Sequence, residues 1–324
     1  MAEACYSSMK KGLTLIELLV AIGIIGLLIG ITLPAVQASR AASRKIECVN
    51  NLKMLGLGTH NYETSYGVFP SSSTGLRGTA KSPYGLAGSV HLAILPQIHS
   101  FPLYNSLNMD VAADPFGGVG EENATVAEYV FGFFLCPADP GTQDRGGCNS
   151  YRANVGLCVS CPEEGTGAFF FGGANTLSGF KDGLANTLCF SEKLVGTGVG
   201  GNYSSIRDWI QSEDLPRTAD GWVRACSGIS NKRVGISDAG STWLLSGSIY
   251  TSFFVATPPN GSVPDCGNYH DGGTGIFTAR SFHQGGVNAL MCDGSVRWVS
   301  SSINKNVWRS LGSRNGGEVI SAIE

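Results

Sequence analysis

Cysteine is the residue type in this sequence with the greatest chemical potential, and the chain contains ten. Four lie close together with the spacing Cys136-x11-Cys148-x9-Cys158-x2-Cys161. A four-cysteine zinc site is one interpretation, although zinc ribbons carry two C-x2-C pairs and this stretch carries one. Disulfide bonds are the other interpretation, and they form in oxidising compartments. We predict disulfides if the domain is exported, with a connectivity that the spacing leaves open.

A histidine and an aspartate near the C-terminus could form a catalytic pair or a metal site. Nine residues separate His283 from Asp293. Asp293-Gly294 lies between two apolar segments, residues 287–292 and 295–299, which predicts a β-hairpin with a type I′ turn and positive φ at both central positions. The first strand alone spans about 20 Å, so the two side chains cannot touch. We therefore expect His283 to have a structural role at the entry to that strand.

Oxygen ligands suited to calcium occur in Lys181-Asp182-Gly183, followed by Asn186 and Glu192. Asp-Gly followed by Asn is also a common turn sequence, so we predict a turn and keep calcium binding as the alternative. The motifs G-x-S-x-G, P-loop and H-E-x-x-H are absent from the sequence, which leaves no recognisable carrier for hydrolysis, phosphate binding or zinc-peptidase chemistry. We expect a protein that is not an enzyme and has no resident metal or cofactor.

The composition narrows the classes of fold and partner. Charged residues make up 15% of the chain, and its 45 glycines are about twice the usual share. This favours a loop-rich β structure over a helical bundle, while 43% hydrophobic and 9% aromatic content is enough to build a core. The formal net charge of -3 provides no basic excess, so we expect no nucleic-acid partner.

The first secondary-structure element that the sequence predicts is an apolar segment near the N-terminus. Its 22 residues from Leu18 to Ser39 carry no charge, and a helix of that length spans about 33 Å, enough to cross a bilayer. A secretory signal peptide has a shorter apolar region, of about 7–15 residues. Glu17 stands at the start of the segment, where a carboxylate in lipid needs a partner. The segment therefore predicts a membrane helix with a specific role for Glu17.

The sequence Lys10-Lys11-Gly12 followed by LTLIELLVAIGIIGLLIGITLPAV resembles the N-terminus of prepilins and pseudopilins of type IV pilus and type II secretion systems. The resemblance implies that a prepilin peptidase cuts between Gly12 and Leu13 and methylates the new amino group. Glu17 would then be the fifth residue of the mature protein, and Pro34 would lie inside the helix. One departure is that the first mature residue, usually Phe in this family, is Leu here.

The chemistry of the segment agrees with this resemblance. Cleavage after Gly12 places an α-amino group one helical turn before Glu17, so the two charges can neutralise each other within one chain or between neighbours. Gly23, Gly26 and Gly30 form a strip of small residues suited to close helix packing. A lone membrane helix with incidental glycines is the alternative. We favour the prepilin interpretation because it gives the carboxylate a purpose.

Beyond Pro34 the helical pattern continues as an amphipathic helix. Its apolar side comprises Ala41, Cys48, Val49, Leu52 and Leu55. Its polar side comprises Arg40, Ser43, Arg44, Glu47, Asn50 and Asn51. The predicted end near Tyr62, before a turn at residues 67–70, gives a helix of about 50 residues from Leu13. The cysteine content suits an oxidising compartment, so we predict that the rest of the chain is extracytoplasmic.

The remaining sequence consists of short apolar runs broken by glycine, proline, asparagine and aspartate, which is typical of strands joined by turns. Predicted strands include residues 168–171, 242–245, 249–256 and 287–291. No repeat of fixed period is visible. We therefore predict one large β-rich domain after the helix.

The C-terminal sequence FHQGGVNALMCDGSVRWVSSSI contains His283, nine further residues and Asp293-Gly294, and it resembles the H-x9-DG signature of the DUF1559 family. Other segments resemble the same family in the expected order: CVNNLKMLGLGTHNYETSYGVFP, HLAILPQIH, FLCPAD, KDGLANTL with Ser191-Glu192, TPPNGSVPDC and WRSLGSRNGGEVI. These proteins are prepilin-like, are abundant in planctomycete bacteria and have no established biochemical role. The resemblance therefore implies architecture more than activity.

Together these features predict an α+β, pilin-like fold in which a long N-terminal helix packs on a large β-rich head. The predicted domains are a leader (residues 1–12), a transmembrane half-helix (13–39), an amphipathic extension (40–65) and an extracytoplasmic head (66–324). The predicted function is a structural subunit of a type IV pilus or type II secretion filament, with prepilin peptidase, other pilin-like subunits and the inner membrane as partners. The alternative is a membrane-tethered module that binds a glycan or another surface ligand.

Overall fold

The computed structural model describes residues 14–73, 88–98, 101–110, 121–142, 145–157, 166–198, 203–229, 235–268 and 274–317. The chain divides into two compact units, Met1–Arg44 and Lys45–Glu324. We call the second unit the head, so that the head includes residues 45–66 of the long helix. The predicted α+β class is confirmed, with a long N-terminal helix whose later part packs on a head built around mixed sheets.

Helix α1 comprises Leu15–Tyr66 and contains Pro34. It continues one turn beyond the predicted end near Tyr62. Gly67 terminates it, with a φ of +73° and a backbone N–H that donates to the carbonyl of Glu63 at 2.7 Å. A glycine in the left-handed conformation is a common helix stop because it lacks a Cβ. Gly67 therefore sets the end of α1, a few residues after the apolar periodicity that predicted an end near Tyr62.

Within the head, residues 45–66 of α1 bury one face. The buried members are Cys48, Asn51, Leu52, Leu55, Gly56, Gly58 and Thr59. The predicted polar side is wrong at Asn51, whose Nδ2 donates to the Leu135 carbonyl at 2.9 Å and to Tyr151 Oη at 3.3 Å. A buried amide is tolerated when its donors have partners. Gly58 allows close approach, since a Cβ there would lie 2.8 Å from Ile98 Cγ2.

Shorter elements make up the rest of the described head. The helices are α2 Val90–Ile94, α3 Phe101–Asn105, α4 Glu121–Ala127, α5 Ala219–Gly228 and α6 Lys305–Gly312. The strands are β1 Tyr151–Asn154, β2 Leu188–Glu192, β3 Trp209–Gln211, β4 Gly235–Ile236, β5 Ser252–Phe253, β6 Asp265–Asn268, β7 Thr274–Ile276, β8 Gly286–Met291 and β9 Val296–Ser300.

These strands form two mixed sheets. The first has the order β5-β1-β2-β8-β9, and the second has the order β4-β3-β6-β7. Each sheet contains one parallel pair, β1 with β5 and β3 with β6, and its other pairs are antiparallel. Non-consecutive neighbours such as β2 and β8 bring distant segments of the chain together.

The first sheet is buried on both faces, as the alternation along β8 shows. Val287, Ala289 and Met291 belong to a hydrophobic cluster that also contains Trp308 of α6. Leu290 belongs to the other, larger cluster, which includes buried residues of α1. Successive side chains on a strand point to opposite faces. Helices α6 and α1 therefore cover opposite sides of this sheet.

The predicted strands were only partly correct. Residues 287–291 lie in β8, as predicted, but residues 249–256 contribute only β5. Residues 168–171 and 242–245 contain only single bridges, Phe170 with Gly173 and Leu245 with Gly88. The backbone of the second segment bonds to a loop instead, as Trp243 N does to the Gly147 carbonyl at 2.7 Å. A short apolar run shows that a segment is buried but does not show what its backbone pairs with.

The hairpin of β8 and β9 was predicted correctly, but its turn type was not. Gly294 has a φ of +86°, whereas Asp293 does not have a positive φ. Gly294 N donates to the Met291 carbonyl at 3.0 Å, and Met291 N donates to the Ser295 carbonyl at 2.8 Å. This arrangement is a three-residue loop with glycine in the left-handed position, rather than a two-residue type I′ turn. Cys292 therefore belongs to the turn.

Candidate functional site

The N-terminal site consists of the predicted cleavage residues and Glu17. Gly12 and Leu13 lie outside the residues that the structure describes. Glu17 lies in the first turn of α1, where its Oε2 accepts hydrogen bonds from Thr14 N at 2.9 Å and from Thr14 Oγ1 at 2.8 Å. Glu17 N donates in return to Thr14 Oγ1 at 3.3 Å. This reciprocal arrangement is a capping box, a role that sequence reasoning missed although the T-x-x-E spacing signals it.

The apolar surface of α1 that follows Glu17 is exposed. Its large hydrophobic side chains, from Leu15 to Val36, are 48–79% exposed. A Cβ placed at Gly23, Gly26 or Gly30 would meet nothing within 4 Å, so the predicted strip of small residues is open. Among the described residues, α1 is the one helix long and apolar enough to cross a membrane, a test that an N-terminal signal sequence also passes. The segment is consistent with a single-pass anchor or a signal.

A second site lies in the head, around His283. Its Nε2 is 3.2 Å from Glu192 Oε1 and 3.6 Å from Cys136 Sγ. Glu192 Oε1 is 3.9 Å from the same sulfur, and Cys136 is disulfide-bonded to Cys48. Ligand atoms of these four residues all lie within 4.8 Å of one another. We call this group the His283 cluster.

Four different parts of the head supply the His283 cluster. Cys48 comes from α1, Cys136 follows a 3-10 turn at residues 132–134, Glu192 ends β2, and His283 lies in the loop before β8. Asn288 fixes the carboxylate, since its backbone N donates to Glu192 Oε2 and its Nδ2 donates to Glu192 Oε1, both at 2.8 Å. The pairing of β2 with β8 therefore positions both Glu192 and the loop that carries His283.

The structure places the two residues of the H-x9-DG motif at opposite ends of β8. His283 N donates to Ser281 Oγ at 3.1 Å, and the imidazole also meets Trp298 edge-on, with ring centroids 6.3 Å apart. Asp293 Oδ1 accepts hydrogen bonds from Ser295 N at 2.9 Å and Ser295 Oγ at 2.6 Å, which close the hairpin turn. The aspartate stabilises the turn, while the histidine faces the cluster.

A small pocket adjoins the cluster, and the residues that line it include Cys136, Asp139, Glu192, Lys193 and Arg280. Lys193 and Arg280 share one carboxylate, that of Asp265, with Arg280 Nη2 3.4 Å from Asp265 Oδ1 and Lys193 paired to Oδ2. Burial lowers the pKa of Lys193 to about 8, against the attraction of Asp265. The lining of the pocket therefore includes buried groups of both charges.

Comparison with known families identifies two matching regions. Residues 37–306 match the family described as "Protein of unknown function (DUF1559)", and residues 7–33 match the "Prokaryotic N-terminal methylation motif". The chain belongs to the DUF1559 family. No curated protein and no solved structure matches it.

The His283 cluster joins four of the segments by which the sequence resembles the DUF1559 family. CVNN supplies Cys48, FLCPAD supplies Cys136, Ser191-Glu192 supplies the carboxylate and FHQGG supplies the imidazole. All four lie within the matched range. The order of these segments along the chain gave no indication that they meet.

The calcium ligands considered from the sequence do not form one site. Asp182 Oδ2 and Oδ1 accept hydrogen bonds from Gly316 N at 2.7 Å and Gly317 N at 2.8 Å. Asn186 Nδ2 donates to the Asp182 carbonyl at 3.0 Å, as in the predicted turn. Glu192 belongs instead to the His283 cluster. The segment therefore ties residues 316–317, which follow the matched DUF1559 range, to the loop before β2.

The predicted disulfides are confirmed. Cys48 is bonded to Cys136, and Cys226 is bonded to Cys266. Within the described residues, Cys148, Cys189 and Cys292 are buried free thiols. Cys158 and Cys161 lie outside the described residues. Because Cys136 pairs with α1, the four-cysteine group from Cys136 to Cys161 does not act as one unit.

Proposed function

We propose that this DUF1559 protein is a pilin-like structural subunit that prepilin peptidase cleaves after Gly12 and methylates at Leu13. The observation that carries the proposal is the N-terminal methylation motif at residues 7–33, which includes the exposed apolar start of α1 with Glu17 in its first turn. Such a helix needs either lipid or other apolar helices around it. A type IV pilus or a type II secretion filament supplies both, first in the inner membrane and then in the filament core.

Glu17 is the residue on which assembly depends in this proposal. In a filament, its carboxylate would meet the α-amino group of Leu13 on a neighbouring subunit, and loss of the carboxylate would leave that amine unpaired among apolar helices. Removal of one partner of a buried ion pair typically costs about 3–5 kcal/mol. The open strip at Gly23, Gly26 and Gly30 would allow neighbouring helices to approach closely.

Three variants separate this role from the capping box. Glu17→Ala removes both functions, Glu17→Gln keeps a capping acceptor but loses the charge, and Thr14→Val keeps the charge but loses the hydroxyl of the cap. We expect all three to be inserted and cut after Gly12. Glu17→Ala and Glu17→Gln should fail to enter filaments or to co-purify with other pilin-like subunits, whereas Thr14→Val should assemble. Normal incorporation of Glu17→Gln would refute the charge-pairing role.

Mass spectrometry of the mature N-terminus tests processing independently. The expected terminus is methylated Leu13 on a membrane-associated protein with an extracytoplasmic head. An intact Met1, or cleavage near Ala38 as in a secreted protein, would contradict the proposal.

A membrane-tethered module that binds a surface glycan is the second candidate. The pocket beside the His283 cluster has a volume of about 10 Å³, roughly the space that one water molecule needs, and ligand pockets are typically about 300–1,000 Å³. This pocket is therefore too small to hold a sugar and gives the tethered module no support. If Glu17→Ala assembles normally, the tethered module becomes the better account.

A further inference from the structure

We propose that Cys48, Cys136, Glu192 and His283 form a tetrahedral zinc site when the Cys48–Cys136 disulfide is reduced. Two thiolates, one imidazole and one carboxylate are ligand types that zinc prefers. Cys48, Cys136 and Glu192 are buried, and His283 is partly buried, with 7% of its side chain exposed. This site does not depend on filament assembly. The sulfur atoms of Cys48 and Cys136 would either form a disulfide or bind zinc, depending on their oxidation state.

The measured separations fit the edges of a zinc tetrahedron. Zinc–ligand bonds of about 2.3 Å to sulfur and about 2.0–2.2 Å to nitrogen or oxygen give edges of about 3.6 Å from sulfur to nitrogen or oxygen, and about 3.4 Å from nitrogen to oxygen. The observed distances are 3.6 Å from Cys136 Sγ to His283 Nε2, 3.9 Å from Cys136 Sγ to Glu192 Oε1 and 3.2 Å between the last two atoms. Three of the four ligands therefore stand in place before any metal binds.

The surroundings of the carboxylate also suit a metal ligand. Asn288 holds both oxygens of Glu192 with bonds of 2.8 Å, and such supporting hydrogen bonds orient ligands in metal sites. The zinc-loaded group would carry a net charge of minus one, from two thiolates, one carboxylate, a neutral imidazole and the dication. The adjoining pocket presents Lys193 and Arg280, which share Asp265. These cations would offset the negative charge.

The reduction step balances with a dithiol reductant. The dithiol gives two electrons and two protons to the Cys48–Cys136 bond, which yields two thiols in the protein and a disulfide in the reductant. Zinc then displaces both thiol protons to solvent, because thiolates are the ligating form. Cysteines are thiols when a chain is synthesised, so a head that folds before oxidation would contain the reduced cluster. Zinc would thus link residues 45–66 of α1 to the rest of the head until the disulfide replaces it.

The experiment uses the full-length protein in detergent, reduced without oxygen by a phosphine and then titrated with zinc or cobalt(II). We expect reduced protein to bind one zinc ion at this site and oxidised protein to bind none there. Cobalt(II) should give the visible bands of tetrahedral coordination and a thiolate charge-transfer band. In the wild-type protein, bound zinc should protect Cys48 and Cys136 from alkylation, which mass spectrometry can assign to individual cysteines.

Variants assign the metal to the cluster. His283→Ala should lose this zinc equivalent, and Asn288→Ala should weaken it by about 10–100-fold. His60→Ala is the matched control, because His60 also lies on the head but outside the cluster, and it should retain the metal. The proposal is overturned if reduced protein binds no zinc, or if bound zinc leaves Cys48 and Cys136 as reactive as before. If His283→Ala leaves zinc binding unchanged, the zinc is bound by other cysteines, and the proposal is also overturned.

Discussion

The two units of this protein differ in the exposure of their large apolar side chains and in the pairing of their charged groups. Between Leu15 and Val36, the large apolar side chains of α1 are exposed along its length. In the head, the large side chains of Trp209, Trp222, Trp243 and Trp308 are fully buried. Burial of apolar surface is worth about 25 cal/mol per Å², so the head gains this stabilisation from its own chain. The apolar side chains of α1 between Leu15 and Val36 gain no such burial within the described chain.

Charged groups show the same contrast. From Leu15 to Ser39, Glu17 is the one charged residue, and its hydrogen bonds in the structure are to Thr14. In the head, some buried charges have ionic partners, such as Arg207 with Asp139 at 2.5 Å and Lys193 with Asp265. The buried Arg152 instead donates a hydrogen bond from Nη1 to the Ser248 carbonyl at 3.1 Å. A buried charge without a partner is strongly destabilising. Within the described residues, the head therefore supplies opposite charges for several of its buried groups, whereas Glu17 has hydrogen bonds to Thr14 and no ion pair.

The strongest test of this contrast is deletion of residues 1–44. We expect the remaining head to lose all association with membranes and to stay folded, because its core and both described disulfides lie in Lys45–Glu324. Sedimentation with membranes and thermal unfolding of the two proteins measure these effects. The midpoint temperature of thermal unfolding should differ between the truncated and full-length proteins by less than about 4 °C, which corresponds to roughly 1 kcal/mol for a domain of this size. Aggregation of the truncated protein would show that the head depends on the first unit.

Acid should weaken the head through its buried histidine. Burial lowers the pKa of His91 from 6.5 to about 4, and the charge of Arg152 adds to this, while a hydrogen bond from Nε2 to the Tyr151 carbonyl opposes it. Between pH 6.5 and about pH 4, the unfolded chain therefore binds more protons at His91 than the folded head does. Stability from the neutral imidazole is complete above pH 6.5 and is lost as the pH falls towards 4. We expect a loss of about 3 kcal/mol from this group.

Denaturant unfolding of the truncated head at several pH values measures this loss. His91→Gln, which retains a donor for the Tyr151 carbonyl, should have a flatter pH dependence than the parent head. His60→Gln serves as the control and should follow the parent. An unchanged slope in His91→Gln would mean that another group controls acid sensitivity. The helix of residues 15–44 contains no histidine and should be insensitive to the same pH change.

The smallest effect is expected at the first residue of the head. Lys45 Nζ lies 3.5 Å from the centre of the Trp298 ring, a cation–π contact typically worth about 0.5–1 kcal/mol at a partly exposed site. Lys45→Met should lower the free energy of unfolding by that amount, and Lys53→Met, at an exposed position of the same helix, should leave it unchanged. If the two variants have equal effects, the contact between Lys45 and Trp298 does not stabilise the head, and the stabilising contacts of α1 begin after Lys45.

The sequence by itself determined the local features of this protein. The uncharged segment, the helix that follows Pro34 and the hairpin at Asp293-Gly294 were all predictable, because helix periodicity and turn chemistry depend on residues a few positions apart. The resemblance to the DUF1559 family was likewise readable from short segments. Even locally, the turn type at Asp293 was wrong, because the Asp-Gly pair fits either a two-residue or a three-residue loop.

Only the tertiary structure decided what the chemistry-bearing residues do. Cys48 and Cys136 are separated by 88 positions, and Glu192 and His283 come from still other elements. Their convergence depends on how α1 packs on the first sheet and on the pairing of β2 with β8, which lie about 100 residues apart. Asn51 was assigned to the solvent side for the same reason, since its partners, Leu135 and Tyr151, come from distant loops and strands. Local patterns record which residues are apolar, whereas non-local pairing sets which polar groups meet.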